Sequence, residues 1–302
     1  MIMPTAVSVI MPVYNAEAYI SLAIESILNQ SLSDFEFLIF DDGSTDCTDD
    51  IIRAYTKLDA RIKSYSSSRV GLVTALNKLL ERSSGKFIAR MDSDDISHSR
   101  RFAHQVAFLE ETGLDIVGCH FRTISSNGSV IRLNQVPTLK SLIDIHLAMG
   151  PPFAHGSVMI SKNFMSRKNI YYGWSRVYSE DFELWQRMYR SGARFGNVDE
   201  VLYDYRDHGS SFLKVKRIEY SSTASILRRR YMTEHQELLL KAMDEVCREP
   251  KEIPWESQKV IPLFILKFVW HTRRFRLLRF LSRFRSGLNI LALLRFFRGF
   301  KH

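Results

Sequence analysis

Two rhythms of apolar residues run along this chain. Short, nearly unbroken apolar runs lie at 7–11, 35–40 and 86–91, built from residues such as Val7, Val9, Ile10, Phe37, Ile39 and Ile88. Runs of this length and composition suit strands buried on both faces of a parallel sheet. Between them apolar residues recur at helical spacing: Ile20, Ala23, Ile24, Ile27 and Leu28, then Ile51, Ile52 and Tyr55, then Leu72, Ala75, Leu76, Leu79 and Leu80. A further strand is predicted near 62–65, and Asn15 is placed to cap a helix over 16–30. Strand and helix alternate throughout. The pattern predicts an open, mostly parallel α/β sheet flanked by helices, whose ligands bind beyond the carboxyl ends of the strands.

The second half reads differently. Phe102, Val106 and Leu109 mark a helix stopped by Gly113, and Asn127-Gly128 is a hairpin signal between strands at 116–124 and 130–133. Thr138 is placed to cap a helix that Gly150-Pro151-Pro152 ends, and residues 155–160 are strand-like. Phe182, Trp185, Met188 and Tyr189 share one side of a helix ended by Gly192, and two strands are predicted at 194–198 and 200–205. No internal repeat or low-complexity segment is present.

With 302 residues, 45% apolar and 25% charged, the chain is long enough for one large globular domain or two small ones. Cys47, Cys119 and Cys247 are far apart and form no CxxC pair, which points to a reducing compartment with neither a disulfide framework nor a zinc site. The first strand follows almost at once from the N-terminus with no basic leader, so no signal peptide is expected. The net charge of +9 is unevenly placed. Residues 259–302 carry Lys and Arg but no Asp or Glu, and the rest of the chain is close to neutral. A nucleic-acid-binding domain would spread its basic residues over a reading surface; no nucleic-acid partner is expected.

The tail has its own pattern. Leu277, Leu281, Phe284, Leu288 and Leu291 fall on one side of a helix, with Arg276, Arg279 and Arg283 on another and Trp270 nearby. The run Val260 to Leu266, ended by Lys267, is too short to span a bilayer. A basic amphipathic helix of this kind reads as an interfacial anchor on an anionic membrane surface. The alternative is a helical pair packed on the domain, or an oligomer contact.

Polar chemistry gathers at predicted strand ends: Pro12 to Asn15, Asp41-Asp42, and Asp92-Ser93-Asp94-Asp95. Three carboxylates within four residues repel one another by roughly a kcal/mol or more each. A divalent cation bound to a phosphate-bearing ligand would turn that cost into a function, whereas a solvated acidic turn capping the next helix is the structural alternative. In an extended segment Asp92 and Asp94 point the same way and can face one ion together.

Four motifs in order resemble family 2 glycosyltransferases: VSVIMPVYN at 7–15, DDGSTD at 41–46, ARMDSDD at 89–95 and EDFELW at 180–185. The likeness covers roughly residues 5–210. It implies a GT-A type fold with a C-terminal helical extension: a catalytic domain over 1–215, with a nucleotide-sugar half at 1–98 and an acceptor half at 99–215, then an extension over 216–302 with a basic amphipathic tail. It also implies inverting transfer from a nucleotide-diphosphate sugar, a UDP-sugar in most relatives. By the same resemblance Pro12, Tyr14, Asn15, Gly71 and Asn77 lie along the nucleotide and Asp42 bonds the base. Asp92, with Ser93, is near ribose or metal, and Asp94 is on a Mn²⁺ or Mg²⁺ ion. His208 matches a late metal or diphosphate ligand, and Asp181 the catalytic base, with Glu180 positioning it. Arg90 is placed to pair with the diphosphate, or simply to balance the aspartates. His155 is placed to touch the acceptor, or to serve structurally.

The reaction implied is addition of a sugar to a glycan or lipid-linked acceptor by a cytoplasmic enzyme held peripherally on the inner face of the cell membrane. Two alternatives stay open. A sugar-phosphate nucleotidylyltransferase would need a Gly-rich basic phosphate loop where Pro12 to Asn15 stand. A non-catalytic membrane or nucleic-acid adaptor would depend on the basic tail alone.

Overall fold

The computed structural model describes residues 5–173, 179–208, 217–248, 253, 255–272 and 274. Its first half alternates as the apolar rhythm predicts: β1 (Val7–Val13), α1 (Ile20–Leu28), β2 (Phe35–Asp41), α2 (Thr48–Leu58), β3 (Ile62–Ser66), α3 (Leu72–Arg82) and β4 (Phe87–Arg90). The second half contains β5 (Ile96–Ser97), α4 (Arg101–Thr112), β6 (Ile116–Ser125), β7 (Val130–Asn134), α5 (Lys140–Leu147), a 3-10 turn at His155–Ser157, β8 (Met159–Ser161), α6 (Lys162–Arg167), α7 (Glu180–Arg190) and β9 (Phe195–Asp207). Three helices follow: α8 (Arg217–Glu234), α9 (Gln236–Arg248) and α10 (Trp255–Thr272).

The strands form one sheet in the order β3-β2-β1-β4-β8-β6-β9-β5, with β7 beside β6. β1, β2, β3 and β4 are mutually parallel, and antiparallel β8 joins them to the parallel pair β6 and β9. Side chains alternate across a strand, and β1 shows the result. Val7, Val9, Met11 and Val13 pack with α1 and α4 on one face, while Ile10 faces α3, α5 and α7 on the other. Pro12 is tolerated in this central strand because β4 leaves the ladder at Arg90, level with Ile10. No strand lies beside Pro12 on that side to miss its N–H.

Three local expectations change. Asn15 does not cap a helix: its φ is +48°, and α1 starts only at Ile20 after Tyr19. Its side chain instead accepts from the Thr45 N–H at 2.8 Å, across the gap between the β1 and β2 ends. Thr138 does not cap α5, which starts at Lys140 after Leu139 without a side-chain cap. The two strands predicted between 194 and 205 are one strand, β9, whose pairing with β6 shifts register around His120. A bulge absorbs the polar interruption that reads as a break.

The run around Val260–Leu266 packs on the domain. Ile261, Phe264, Ile265, Phe268 and Val269 of α10 are buried in the same apolar cluster as Leu142 and Ile145 of α5 and Trp185 of α7. Tyr231 of α8 and Leu239 and Met243 of α9 join them. Among the described residues no helix is long and apolar enough to cross a membrane. The amphipathic pattern at 276–291 lies outside the described residues.

Candidate active site

The carboxyl ends of β1, β2 and β4 bring the first three motifs to one rim of the sheet. Asp41 accepts from the Ser44 N–H and hydroxyl, at 3.1 and 2.5 Å, which shapes the turn after β2. Asp42 accepts from the backbone N–H groups of Val70 and Gly71, at 2.5 and 2.9 Å. Gly71 turns there with φ +87°, a conformation that favours glycine. Asp42 thus fixes the loop that leads into α3. Tyr14 is 40% exposed at the mouth, and the Arg69 guanidinium lies 3.4 Å from its ring centroid. The sequence reading missed Arg69, which no motif marks.

Asn77 ties two distant segments together. Its side-chain amide donates to the Tyr172 carbonyl at 3.0 Å and accepts from the Tyr172 N–H at 2.9 Å. This two-point clamp joins α3 to a segment 95 positions later. The Tyr172 hydroxyl in turn meets His155 Nε2 at 2.8 Å. Burial, and next the Arg90 charge, hold His155 well below the usual histidine range, so this ring is neutral.

The acidic turn after β4 is the electrostatic centre. Arg90 is 2% exposed, and its guanidinium pairs with Asp92 at 2.5 Å and donates to the Met91 carbonyl. In this arrangement Arg90 balances the aspartates. Burial, partly offset by Arg90 and reinforced by Asp94, raises Asp92. Burial and the Asp94 and Asp92 charges push Asp95 well above the usual carboxylate range. Asp95 nonetheless accepts from the Tyr203 hydroxyl at 2.7 Å and the Arg206 N–H at 2.7 Å. Ser93, at the tip, is half-buried. His208, just past β9, meets Asp94 Oδ2 through Nε2 at 2.8 Å.

Asp92, Asp94 and His208 are hard oxygen donors plus one imidazole, a set suited to Mn²⁺ or Mg²⁺. No group of three or more His, Cys, Asp or Glu arranged to hold a metal occurs among the described residues. Two of these donor groups already meet, Asp94 with His208. The site therefore fits an ion that takes its remaining ligands from a bound diphosphate and water, as Mg²⁺-type ions usually do.

A glycine the sequence reading passed over seals this centre. A Cβ on Gly156 would stand 2.5 Å from Asp92 Oδ2 and collide with the Tyr203 hydroxyl. The 3-10 turn can lie against the acidic turn only because residue 156 lacks a side chain.

The fourth motif opens α7. Glu180 and Asp181 both stand in its first turn, and Phe182 donates its N–H to Asp181 Oδ1 at 2.6 Å. Burial, then the Glu180 charge and more weakly Asp92, push Asp181 up to about 7. The charge of Asp92 in the acidic turn is the smallest of the causes that raise it.

A parallel first half, a mixed second half and an acidic turn between them give the chain a GT-A type architecture. The family profile described as glycosyl transferase family 2 matches residues 8–173, and the chain belongs to that family. The O-antigen biosynthesis glycosyltransferase WbnJ of Escherichia coli is 34% identical, over 74% of this chain and 87% of its own. The putative glycosyltransferase EpsE of Bacillus subtilis is also 34% identical, over 73% of this chain and 80% of its own. Crystal structures of S. aureus TarS share the fold, with a TM-score of 0.60 at 19% identity over 88% of this chain and 80% of theirs; one was solved in complex with UDP-GlcNAc. The mannosyltransferase PcManGT of Pyrobaculum calidifontis, solved with GDP-Man and Mn²⁺, has a TM-score of 0.57 at 14% identity, over 95% of this chain and 88% of its own. Family membership removes the nucleotidylyltransferase and adaptor alternatives.

Proposed function

We propose that this glycosyltransferase moves a hexose or N-acetylhexosamine from a UDP-sugar to a hydroxyl of a growing surface glycan or lipid-linked acceptor, with inversion at the anomeric carbon. The Asp181 carboxylate carries this reading: it stands at the start of α7, within reach of the Asp92 charge, with its affinity for a proton raised to about 7. A base tuned near neutral pH can take up a proton and still be ionised in the resting enzyme. Asp181 accepts the acceptor hydroxyl's proton as that oxygen bonds to the anomeric carbon and the bond to the diphosphate breaks. Glu180, its neighbour, raises its basicity. Mn²⁺ or Mg²⁺ bound by Asp94, His208 and Asp92 would supply Lewis-acid stabilisation of the departing diphosphate. Tyr14, Arg69 and the Asp42-braced Gly71 loop form the wall where the base would stack, and Pro12 and Asn15 shape its entrance. WbnJ, named for O-antigen biosynthesis, and the UDP-GlcNAc complex of TarS support the choice of acceptor and donor class.

A thermal-shift screen of nucleotide-diphosphate sugars with and without Mn²⁺ tests the donor site. One UDP-sugar is expected to raise the melting temperature in a metal-dependent way, and Asp94→Ala to abolish that rise. No response to any nucleotide sugar by folded wild-type protein would remove the reading. A second expectation concerns pH. Asp181 must be ionised to act, so kcat/KM should climb about tenfold per pH unit below the Asp181 pKa and level off above it. In the metal-free site that bend falls near 7, and a bound cation moves it lower. A flat profile from pH 5 to 8 would count against Asp181.

The cytoplasmic, membrane-peripheral location rests on the tail. Deleting residues 273–302 leaves α10 and its core contacts in place. This truncation is expected to abolish flotation with anionic vesicles while the melting temperature holds. Full binding by the truncated chain would reject the anchor.

A further inference from the structure

Arg206 is the least solvated charge on β9 and lies outside every motif that identifies the family. It is 2% exposed, and its contacts converge on the acidic turn from behind. Its Nε donates to the Asp94 carbonyl oxygen at 2.7 Å, and its backbone N–H to Asp95 Oδ1 at 2.7 Å. Its Nη1 donates to the carbonyls of Ser125 and Ser126, at 3.1 and 3.2 Å, where β6 turns toward β7. The guanidinium carbon lies 4.7 Å from the ring centroid of Tyr19, the residue before α1. The other side of this arrangement holds His208: its imidazole centroid is 5.2 Å from that of Tyr19.

One planar cation at the end of β9 therefore joins it to three parts of the chain that are remote in sequence: the acidic turn, the β6–β7 turn and the start of α1. Asp94 is held through its carbonyl, and His208 through the one intervening residue and the shared Tyr19 ring. We propose that Arg206 is a positioning residue that fixes the Asp94 carboxylate and the His208 imidazole at the spacing a divalent cation needs. This rests on the metal role assigned to those two residues under the proposed function.

Fork geometry, and not charge alone, is the point. A guanidinium presents several donors in fixed directions, whereas an ammonium is a single point donor on a flexible stem. Lysine could offset the carboxylates but could not reach the Asp94 carbonyl and both turn carbonyls together. Arg206→Lys thus separates positioning from simple charge balance. Leucine in place of Tyr19 keeps apolar bulk and removes the aromatic face that touches both Arg206 and His208.

The test is Mn²⁺ binding in the presence of UDP, read by the loss of free-ion EPR signal on full-length protein, alongside melting temperature and steady-state kinetics. Wild type is the reference and Asp94→Ala the blank. Arg206→Lys is expected to fold, to bind Mn²⁺ at least tenfold more weakly, and to recover part of its kcat as Mn²⁺ is raised. Tyr19→Leu is expected to weaken Mn²⁺ binding severalfold, and it supplies the same readout if Arg206→Lys does not fold. Wild-type Mn²⁺ affinity in a folded Arg206→Lys or, in its place, Tyr19→Leu would overturn the positioning role while leaving the glycosyltransferase site intact. Absence of UDP-dependent Mn²⁺ binding by wild type would instead remove the metal assignment, and the positioning role with it.

Discussion

An Asp181→Asn enzyme is expected to lose turnover by roughly 10²–10⁴-fold, the usual contribution of a positioned general base. Donor binding should persist, because the side chain stands on α7 and the hydrogen bonds and ion pairs described for Asp42, Asp92 and Asp94 run to Val70, Gly71, Arg90 and His208. Asparagine keeps the shape and can still accept the Phe182 N–H that Asp181 Oδ1 now accepts. What it lacks is the ability to remove a proton. The loss should therefore fall on kcat, with the melting-temperature response to UDP-sugar and Mn²⁺ unchanged. The steep acid limb of the pH profile should vanish in the residual activity. An Asp181→Asn variant with near-wild-type kcat would transfer the role to Glu180, the only other carboxylate in the first two positions of the helix.

Gly156→Ala is expected to damage the donor site almost as severely as loss of a metal ligand, although glycine performs no chemistry. The new methyl would meet the Tyr203 hydroxyl and the Asp92 carboxylate, and neither can yield freely. Tyr203 is buried and bonded to Asp95, and Asp92 is paired with the buried Arg90. Forcing one extra carbon into such packing costs about 1–3 kcal/mol. If that cost falls on Asp92, donor affinity drops by roughly a factor of ten for each 1.4 kcal/mol. Gly150→Ala is the control: a Cβ there meets nothing within 4 Å. Calorimetric titration of UDP-sugar with Mn²⁺ into both variants separates them. Equal affinities would show that the 3-10 turn can retreat without disturbing Asp92.

The parallel half was legible because its information is local. Apolar runs, helical spacing and acidic turns lie within a few residues of each other, and β1 to β4 appear where the rhythm puts them. The acidic turn and Asp181 were visible for the same reason. What escaped was long-range. Asn77 looks like a pocket residue in its own segment, yet its amide is matched to the Tyr172 backbone far along the chain. Arg69 and Arg206 are ordinary arginines until folding brings Tyr14, Tyr19 and the acidic turn beside them. Asn15 is a good helix cap by residue type, but its side chain accepts from the Thr45 N–H and its own N–H donates to the Ser44 hydroxyl. Gly156 carries no sequence signal, because a glycine needed for close approach looks like any other. Part of the site lies in spacings that only the finished fold creates.

The helix bearing Asp181 shares its apolar underside with residues made much later. Leu184, Trp185 and Met188 of α7 are buried in one cluster with Leu239 and Met243 of α9 and Phe264 and Phe268 of α10. A ribosome delivers the chain from the N-terminus, and domains close as units once their parts have emerged. While the nascent chain ends before α9, α5 and Phe153 can already pack on α7, but the part of the cluster that α9 and α10 supply is missing. The parallel half can be complete by then, but the helix bearing Asp181 gains its full support only once α10 has been made. Full packing under the Asp181 helix is thereby timed to the emergence of α10.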